Sequence, residues 1–163
     1  MRVIADLHLH SRYSRATSAE MDLSGLARWA KLKGIGLLGT GDFTHPAWFR
    51  ELVTALRPVG EGIYEREGTH FLFTAEVAAV WSFAGRIRRV HFLLLAPSAE
   101  EAARINKELG TFGNLSGDGR PTLAISGEKL VEAVRNASAK AVIIPAHAWT
   151  PWWSVFGSNS GFD

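Results

Sequence analysis

Strand-like and helical segments alternate along this chain, and that alternation limits its fold more than any other feature of the sequence. The strand-like segments are either continuously apolar or alternate apolar with polar residues, which is the pattern of buried and half-buried strands. They cover residues 2–10, 35–40, 63–65, 70–80, 87–96 and 140–145. Because helices separate most of them, the pattern predicts an α/β fold with parallel strands and about five core strands.

Capping residues mark the predicted helices. Asp22 precedes the first helix and Gly34 ends it, Pro46 opens the second, and Ser98 and Ser126 open the third and fourth. The predicted spans are residues 23–33, 47–56, 99–109 and 127–137. The dipeptide at residues 67–68, Glu-Gly, predicts a hairpin turn between two of the strands.

The composition is that of one globular domain, which we assign to residues 1–163. Hydrophobic residues make up 47% of the chain and the net charge is only +2, so charge alone does not predict a basic nucleic-acid-binding face. The sequence contains no run of about 18 apolar residues. Asp6 interrupts the apolar start where a secretion signal would continue. We therefore expect a cytoplasmic protein without membrane contacts.

The end of the chain departs from the regular alternation. Residues 152–163 read as a loop. A βα barrel usually has more strands than the five predicted here. The count therefore predicts an incomplete barrel whose last strands are missing, as in the N-terminal part of a longer protein.

A His-x-His pair is the first chemical signal. The chain has no cysteine and six histidines, so any metal ion must be held by His, Asp and Glu. His8 and His10 are two positions apart on a predicted strand, so their imidazoles share a face and converge. Asp6 lies on the same face and is a candidate to orient one imidazole. Alone, the pair fits two exposed histidines near a strand end equally well.

Four further residues with metal-binding side chains, Asp42, Glu76, His91 and His147, follow or lie within other apolar segments. Taken singly, each fits a structural role, such as a salt-bridged glutamate or a satisfied core histidine. Together they predict a metal cluster at one end of five successive strands, because burying so many polar groups without partners is costly. Nitrogen and oxygen ligands without thiolate suit Zn, Mn or Fe.

The order of these residues resembles the PHP (polymerase and histidinol phosphatase) superfamily, whose members are distorted βα barrels with two or three metal ions. The shared order is His-x-His, an acid after the second strand, then Glu, His and Pro-x-His. The resemblance implies that Glu76 bridges two ions, and that Asp42 replaces the histidine of a Thr-Asp-His motif. The implied metal ligands are His8, His10, Asp42, Glu76, His91 and His147; the implied catalytic residues are His8, His10, Glu76 and His147.

A finer resemblance is to the endonuclease Q family, in residues 6–14, 39–46, 74–77 and 145–152. The last stretch, Pro-Ala-His-Ala-Trp-Thr-Pro-Trp, is the most specific. Endonuclease Q proteins are DNA-repair enzymes that cut on the 5′ side of deaminated bases and abasic sites. The resemblance therefore implies metal-dependent phosphodiester hydrolysis, with Zn or Mn as the cofactor and damaged DNA as the partner.

The chain departs from the family pattern in two places. Residues 12–16 contain no His or acid, where many PHP enzymes place a ligand for a third ion. No Asp-x-His motif follows His147, although the family has one on a later strand. A site without those ligands is predicted to bind metal weakly, so the chain alone is expected to be a poor catalyst.

Five residues are candidates for substrate contacts. Trp149 and Trp152 can stack on a base or wedge open a duplex, or else pack a loop. Arg12 and Arg15 can contact phosphates, or else form solvated surface. His45 fits a metal ligand, a substrate contact and a loop histidine equally well.

Two other functions fit the same sequence. A small-molecule phosphatase of the PHP superfamily would act on a phosphomonoester in a compact basic pocket. A non-catalytic PHP module, used for structure or for docking on DNA, would bind little or no metal. The sequence has neither a Gly-x-Ser-x-Gly nucleophile motif nor a phosphate-binding Gly-x-x-x-x-Gly-Lys loop.

Overall fold

The computed structural model describes residues 2–162, so Met1 and Asp163 lie outside it. Its elements in chain order are β1 (Ala5–Asp6), α1 (Leu23–Lys33), β2 (Leu37–Gly39), α2 (Pro46–Ala55), β3 (Arg57–Gly60), β4 (Ile63–Arg66), β5 (Thr69–Phe83), β6 (Arg86–Ala96), α3 (Ala99–Leu109), β7 (Thr122–Leu123), α4 (Gly127–Ala137) and β8 (Val142–Pro145). The predicted final loop consists of turns and bends over residues 152–162.

All four predicted helices are present, with bounds that agree to within one residue. The side chains of Asp22, Ser98 and Ser126 each accept a hydrogen bond from the backbone N–H three residues later. Gly34 ends α1 in the left-handed conformation, with φ at 70°. These contacts satisfy backbone groups that a helix end leaves unpaired, which explains why the capping residues predicted the ends so closely.

The sheet is open and mixed, so the prediction of a parallel sheet is wrong in part. Within residues 2–162 it has eight strands, in the order β1-β2-β5-β4-β3, with β6 and β7 also on β5 and with β8 on β6. The pairs β1–β2, β2–β5 and β5–β7 are parallel. The pairs β3–β4, β4–β5, β5–β6 and β6–β8 are antiparallel. The distorted, incomplete βα barrel expected from the PHP resemblance therefore stays a prediction.

Two tight turns account for the antiparallel pairs around β5. Glu67 and Gly68 have φ values of 52° and 74°, and Ala84 and Gly85 have 49° and 74°. Positive φ at both central residues is the geometry of two-residue hairpin turns, which can join only antiparallel strands. The first turn confirms the prediction. The second carries alanine instead of Asn or Asp, so the sequence signal for it was weak.

Several strand lengths differ from the predictions. β1 pairs with β2 only through Ala5 and Asp6, although residues 2–10 were predicted to be strand. β3 was not predicted, since Pro58 and Gly60 are poor strand residues, and it pairs with β4 at the edge of the sheet. β7 was not predicted either, because two residues are too short for a recognisable pattern.

The hydrophobic core includes one face of β5, since its buried apolar residues alternate along the strand. Phe71, Phe73 and Val77 on this strand are fully buried, and so is Trp48 of α2. α3 packs against α4 and against β6. Within the described residues no helix is both long enough and apolar enough to cross a membrane.

Candidate metal centre

Four of the other five predicted ligands converge around the carboxylate of Glu76, whose side chain is only 2% exposed. Its Oε1 atom lies 3.1 Å from His8 Nε2, 3.2 Å from His91 Nδ1 and 3.3 Å from His147 Nε2. Its Oε2 atom lies 3.3 Å from His10 Nε2. The side chains form two groups that share Glu76, each with all ligand atoms within 4.8 Å of one another.

The fold brings these residues together differently from the prediction. His8 and His10 were predicted at the end of a strand but lie just after the end of β1. Glu76 and His91 lie in the middle of β5 and β6 rather than at strand ends. The reason is that β5 and β6, at 15 and 11 residues, continue well past the ends of β1 and β2. His147 follows β8, and its neighbour Ala146 donates a backbone hydrogen bond to the His91 carbonyl at 2.9 Å.

Asp42 lies behind His10 and outside both groups of ligand atoms. Its Oδ1 atom is 2.9 Å from His10 Nδ1. Its Oδ2 atom accepts hydrogen bonds from the backbone N–H and the hydroxyl of Ser11, at 2.6 and 2.7 Å, and from the hydroxyl of Ser14 at 3.0 Å. A carboxylate on one ring nitrogen fixes the tautomer of a histidine. Asp42 therefore directs the Nε2 atom of His10 toward Glu76, where it can bind a metal ion once it has lost its proton.

The backbone that carries Asp42 is held in an unusual conformation. Gly41 and Asp42 both have positive φ, at 61° and 50°, which aspartate tolerates better than most residues. The indole N–H of Trp48 donates to the carbonyls of Thr40 and Gly41, at 3.2 and 2.8 Å. The Gly41 N–H donates to Thr74 Oγ1 at 3.0 Å. These contacts from α2 and β5 fix the turn that places the carboxylate.

The Oε1 atom of Glu76 shows that the cluster fits metal ions. It is buried and has no hydrogen-bond partner within residues 2–162, although three imidazole nitrogens lie within 3.3 Å of it. None of those nitrogens meets hydrogen-bond geometry. Two ligands at about 2.0–2.1 Å from a tetrahedral zinc ion lie about 3.3 Å apart, which is close to the separations found here. The donor set, imidazole and carboxylate, suits Zn and Mn.

The electrostatics of the metal-free cluster favour an ionised Glu76 and a neutral His91, as metal binding requires, but a protonated His10. Burial by itself raises the pKa of Glu76, but its contacts with His10, His8 and His91 outweigh burial and hold that pKa well below its usual range. Burial lowers the pKa of His91. Hydrogen bonds to Asp42 and Glu76 raise the pKa of His10 to about 9. Metal binding at His10 must therefore displace a proton near neutral pH.

The metal-free chain is expected to lose stability as pH rises from 6.5 to about 9, the ordinary and folded pKa values of His10. A raised folded pKa stabilises the protein fully below the unfolded value, and the contribution disappears as pH passes through the folded value. The shift corresponds to up to about 3 kcal/mol. Urea unfolding in a chelator, at pH about 6 and about 9.5, measures it. Asp42→Asn should flatten the dependence; an equal dependence in the variant would contradict the assignment.

Some residues that support the cluster were not found from the sequence. Thr150 Oγ1 lies 2.9 Å from His147 Nδ1, so it orients that ring. Arg120 Nη1 lies 3.2 Å from Glu76 Oε2. Ser11 has a weak sequence signal, a hydroxyl directly after His-x-His, but Arg120 has none because it is distant in sequence from every ligand.

The structure also shows the contacts of two residues next to the ligands, Trp153 and Asp6. The ring of Trp153, close to Trp149 and Trp152 in sequence, stacks on His91 at a centroid distance of 4.8 Å and so has a packing role. Asp6 accepts a bond of 3.4 Å from the backbone N–H of His8. The expectation that Asp6 orients an imidazole is therefore wrong, because its carboxylate meets the backbone and not a ring.

The five candidate substrate residues lie outside the cluster. Trp149 and Trp152 are 79% and 54% exposed on the loop after His147. The guanidinium of Arg12 bonds to Glu51 at 2.9 Å. Arg15 is 85% exposed at its side chain and lies 3.3 Å from Asp118.

His45, the fifth candidate, is buried at the start of α2. Its Nδ1 atom accepts a long bond of 3.5 Å from the Trp48 N–H, and its Nε2 atom lies 3.2 Å from the Ser116 carbonyl. Tyr13 stacks on the ring at 4.4 Å. His45 therefore joins α2 to the loop that contains Ser116, and it belongs to neither group of ligand atoms.

The fold and the cluster define an α/β protein with an open mixed sheet and a His/Glu site able to hold metal ions. No family model matches the chain. The structure is similar to that of the lesion-specific endonuclease PfuEndoQ from Pyrococcus furiosus, with a TM-score of 0.82 and 36% identity, over 93% of this chain and 36% of that chain. It is equally similar to an endonuclease Q in complex with a 27-mer duplex with an abasic lesion at the active site, with a TM-score of 0.81, 36% identity and the same coverage.

A curated relative is the uncharacterized protein MJ0043 of Methanocaldococcus jannaschii. It is 32% identical over 147 residues, which are 90% of this chain and 16% of that protein. The chain therefore spans about a third of the endonuclease Q chains and about one sixth of MJ0043. The predicted similarity to endonuclease Q is confirmed in sequence and structure, whereas membership of the PHP superfamily stays a prediction.

Proposed function

We propose that this chain is part of a metal-dependent DNA-repair endonuclease that hydrolyses the phosphodiester bond on the 5′ side of a deaminated base or an abasic site. The observation that carries the proposal is the buried Glu76 with four imidazole nitrogens within 3.3 Å. Its fold is similar to that of a lesion-specific endonuclease. A similar protein is known in complex with an abasic duplex, which supports damaged DNA as the partner.

The proposed cofactor is a pair of divalent ions, Zn or Mn, that share Glu76. His8 and His10 complete one site, and His91 and His147 complete the other. Such ions supply Lewis-acid activation of water and neutralise negative charge on a phosphoryl group. Asp42, a ligand by family resemblance, acts in this proposal from behind His10, because both of its oxygens are already engaged.

The chain's own residues prepare the cluster for this chemistry. Asp42 and Thr150 form hydrogen bonds with the Nδ1 atoms of His10 and His147. Both rings therefore direct Nε2 toward Glu76. Trp153 covers one face of His91 and excludes water from it. Fixing the rings in this way reduces the reorganisation needed when ions and substrate bind.

The proposed DNA contacts are candidates that follow the ligands His10 and His147 closely in sequence. Trp149 and Trp152 stack on or between bases, since both project from the loop after His147. Arg15 contacts a backbone phosphate with its exposed guanidinium. Arg12 adds positive charge nearby but is partly neutralised by Glu51. His45 acts indirectly in this proposal, by holding the Ser116 loop.

Metal content by mass spectrometry, paired with incision assays, tests the proposal. We expect about two ions per chain, as two groups sharing one carboxylate require. We also expect cutting 5′ to uracil or to an abasic site, with little cutting of undamaged duplex. Turnover of a small phosphomonoester without DNA incision would favour a phosphatase. A folded chain without metal and without turnover would overturn the proposal in favour of a docking module.

A further inference from the structure

Arg120 lies at the metal cluster, although nothing in the local sequence indicates it. Its Nη1 atom donates a hydrogen bond of 3.2 Å to Glu76 Oε2, and its side chain is 39% exposed. Within residues 2–162 its guanidinium has no other hydrogen-bond partner in the structure. Its exposure is similar to that of His8 and His147, at 35% and 32%. The guanidinium is thus reachable from solvent beside the two most exposed ligands.

The backbone around Arg120 is anchored on both sides. The Gly119 N–H donates to the Tyr13 carbonyl at 2.9 Å, and the Gly119 carbonyl accepts from Thr44 Oγ1 at 3.3 Å. The Pro121 carbonyl accepts from the Ala78 N–H at 2.9 Å, where β7 begins to pair with β5. A side chain on so constrained a backbone is presented at a defined position, as a binding residue requires.

The charge of Arg120 has no use in holding metal. A cation next to the shared carboxylate opposes the binding of further cations, and Glu76 already has four imidazoles around it. Once divalent ions are bound, the site carries a net positive charge, and its complement is an anion. A guanidinium binds phosphate oxygens with two parallel hydrogen bonds, which an ammonium group cannot do.

We propose that Arg120 is a phosphate-binding residue. When metal ions bind to the cluster, its guanidinium leaves the ion pair with Glu76 and donates hydrogen bonds to a non-bridging oxygen of the phosphate. This inference rests on the proposed metal-dependent phosphodiester hydrolysis. It adds a phosphate-binding residue, from the loop before β7, to the proposed DNA contacts Arg15, Trp149 and Trp152. It also explains why this cation lies within hydrogen-bond distance of a metal-binding carboxylate.

The test compares Arg120→Gln, Arg120→Lys and the control Arg104→Gln, which removes an exposed arginine paired with Glu101 on α3. Inorganic phosphate is the probe, and its affinity is measured calorimetrically on the full chain with and without Zn or Mn. We expect Arg120→Gln to weaken phosphate binding by about 10- to 100-fold, as for loss of a charged hydrogen bond. Arg120→Lys should recover part of the loss, and Arg104→Gln should match the original chain.

Metal affinity separates this role from a purely structural one. Removing the cation should leave metal affinity unchanged or raise it slightly, while phosphate affinity falls. Unchanged phosphate affinity in Arg120→Gln, or no phosphate binding by the original chain in either state, would overturn the inference. Phosphate binding that depends on Arg120, in a chain that does not cut DNA, would retain the inference and reject the nuclease proposal.

Discussion

Replacing Glu76 by glutamine is expected to lower metal affinity by more than about 100-fold and to abolish hydrolysis. Residues that only orient a ligand contribute about 10- to 100-fold to metal affinity, and Glu76 contacts both groups of histidines directly. Glutamine has nearly the same shape but no negative charge, so the cavity around β5 stays filled. The effect should therefore appear in metal binding rather than in folding.

Competition with a coloured chelator measures the metal affinity of Glu76→Gln, and circular dichroism checks that the variant is folded. Glu108→Gln is the matched control, since Glu108 is an exposed glutamate of α3. The control should bind metal and turn over substrate like the original chain. Two tightly bound ions in Glu76→Gln would show that the carboxylate is not shared between them.

The second large effect is expected from Gly119→Ala. A Cβ atom at this position would lie closer than 3.0 Å to the carboxylate of Asp42 and to the hydroxyl of Ser14. Both groups are buried around His10, so neither can move without breaking the hydrogen bonds that hold its ring. We expect a cost of about 1–3 kcal/mol in unfolding free energy and a fall of about 10- to 100-fold in metal affinity.

Gly117→Ala provides the control for this variant in the same loop. A Cβ atom on Gly117 would meet only the amide of Asn114, at an ordinary contact distance of 3.6 Å. Urea unfolding and metal titration should leave Gly117→Ala close to the original chain. Equal stability and equal metal affinity in the two variants would mean that the backbone at residue 119 shifts to accept the Cβ atom. The loop would then not hold Asp42 in place.

Predictions that rest on neighbouring residues agree well with the structure. The helix ends follow from side chains that bond to a backbone N–H three residues away, as Asp22, Ser98 and Ser126 do. The convergence of His8 and His10 follows from their spacing, and their ring centroids lie 6.0 Å apart although the strand ends at Asp6. Such contacts join residues that are close together in the sequence, so residue type and spacing are sufficient to predict them.

Predictions that depend on contacts between distant segments agree less well. The direction of β6 was decided by the turn at Ala84–Gly85, and the great length of the β5–β6 hairpin moved Glu76 and His91 away from strand ends. Arg120 reaches Glu76 across 44 positions of sequence, which no local pattern can indicate.

Residue types alone identified His, Asp and Glu as the candidate metal ligands of this chain, because the sequence has no cysteine to supply a thiolate. The role of each residue depended on three-dimensional packing. Asp42 lies behind His10 because the buried hydroxyls of Ser11 and Ser14 engage one of its oxygens and leave the other for the imidazole. Whether a carboxylate faces a metal ion or a histidine is decided by which donors surround it, and those donors are assembled only when the sheet and its loops have folded.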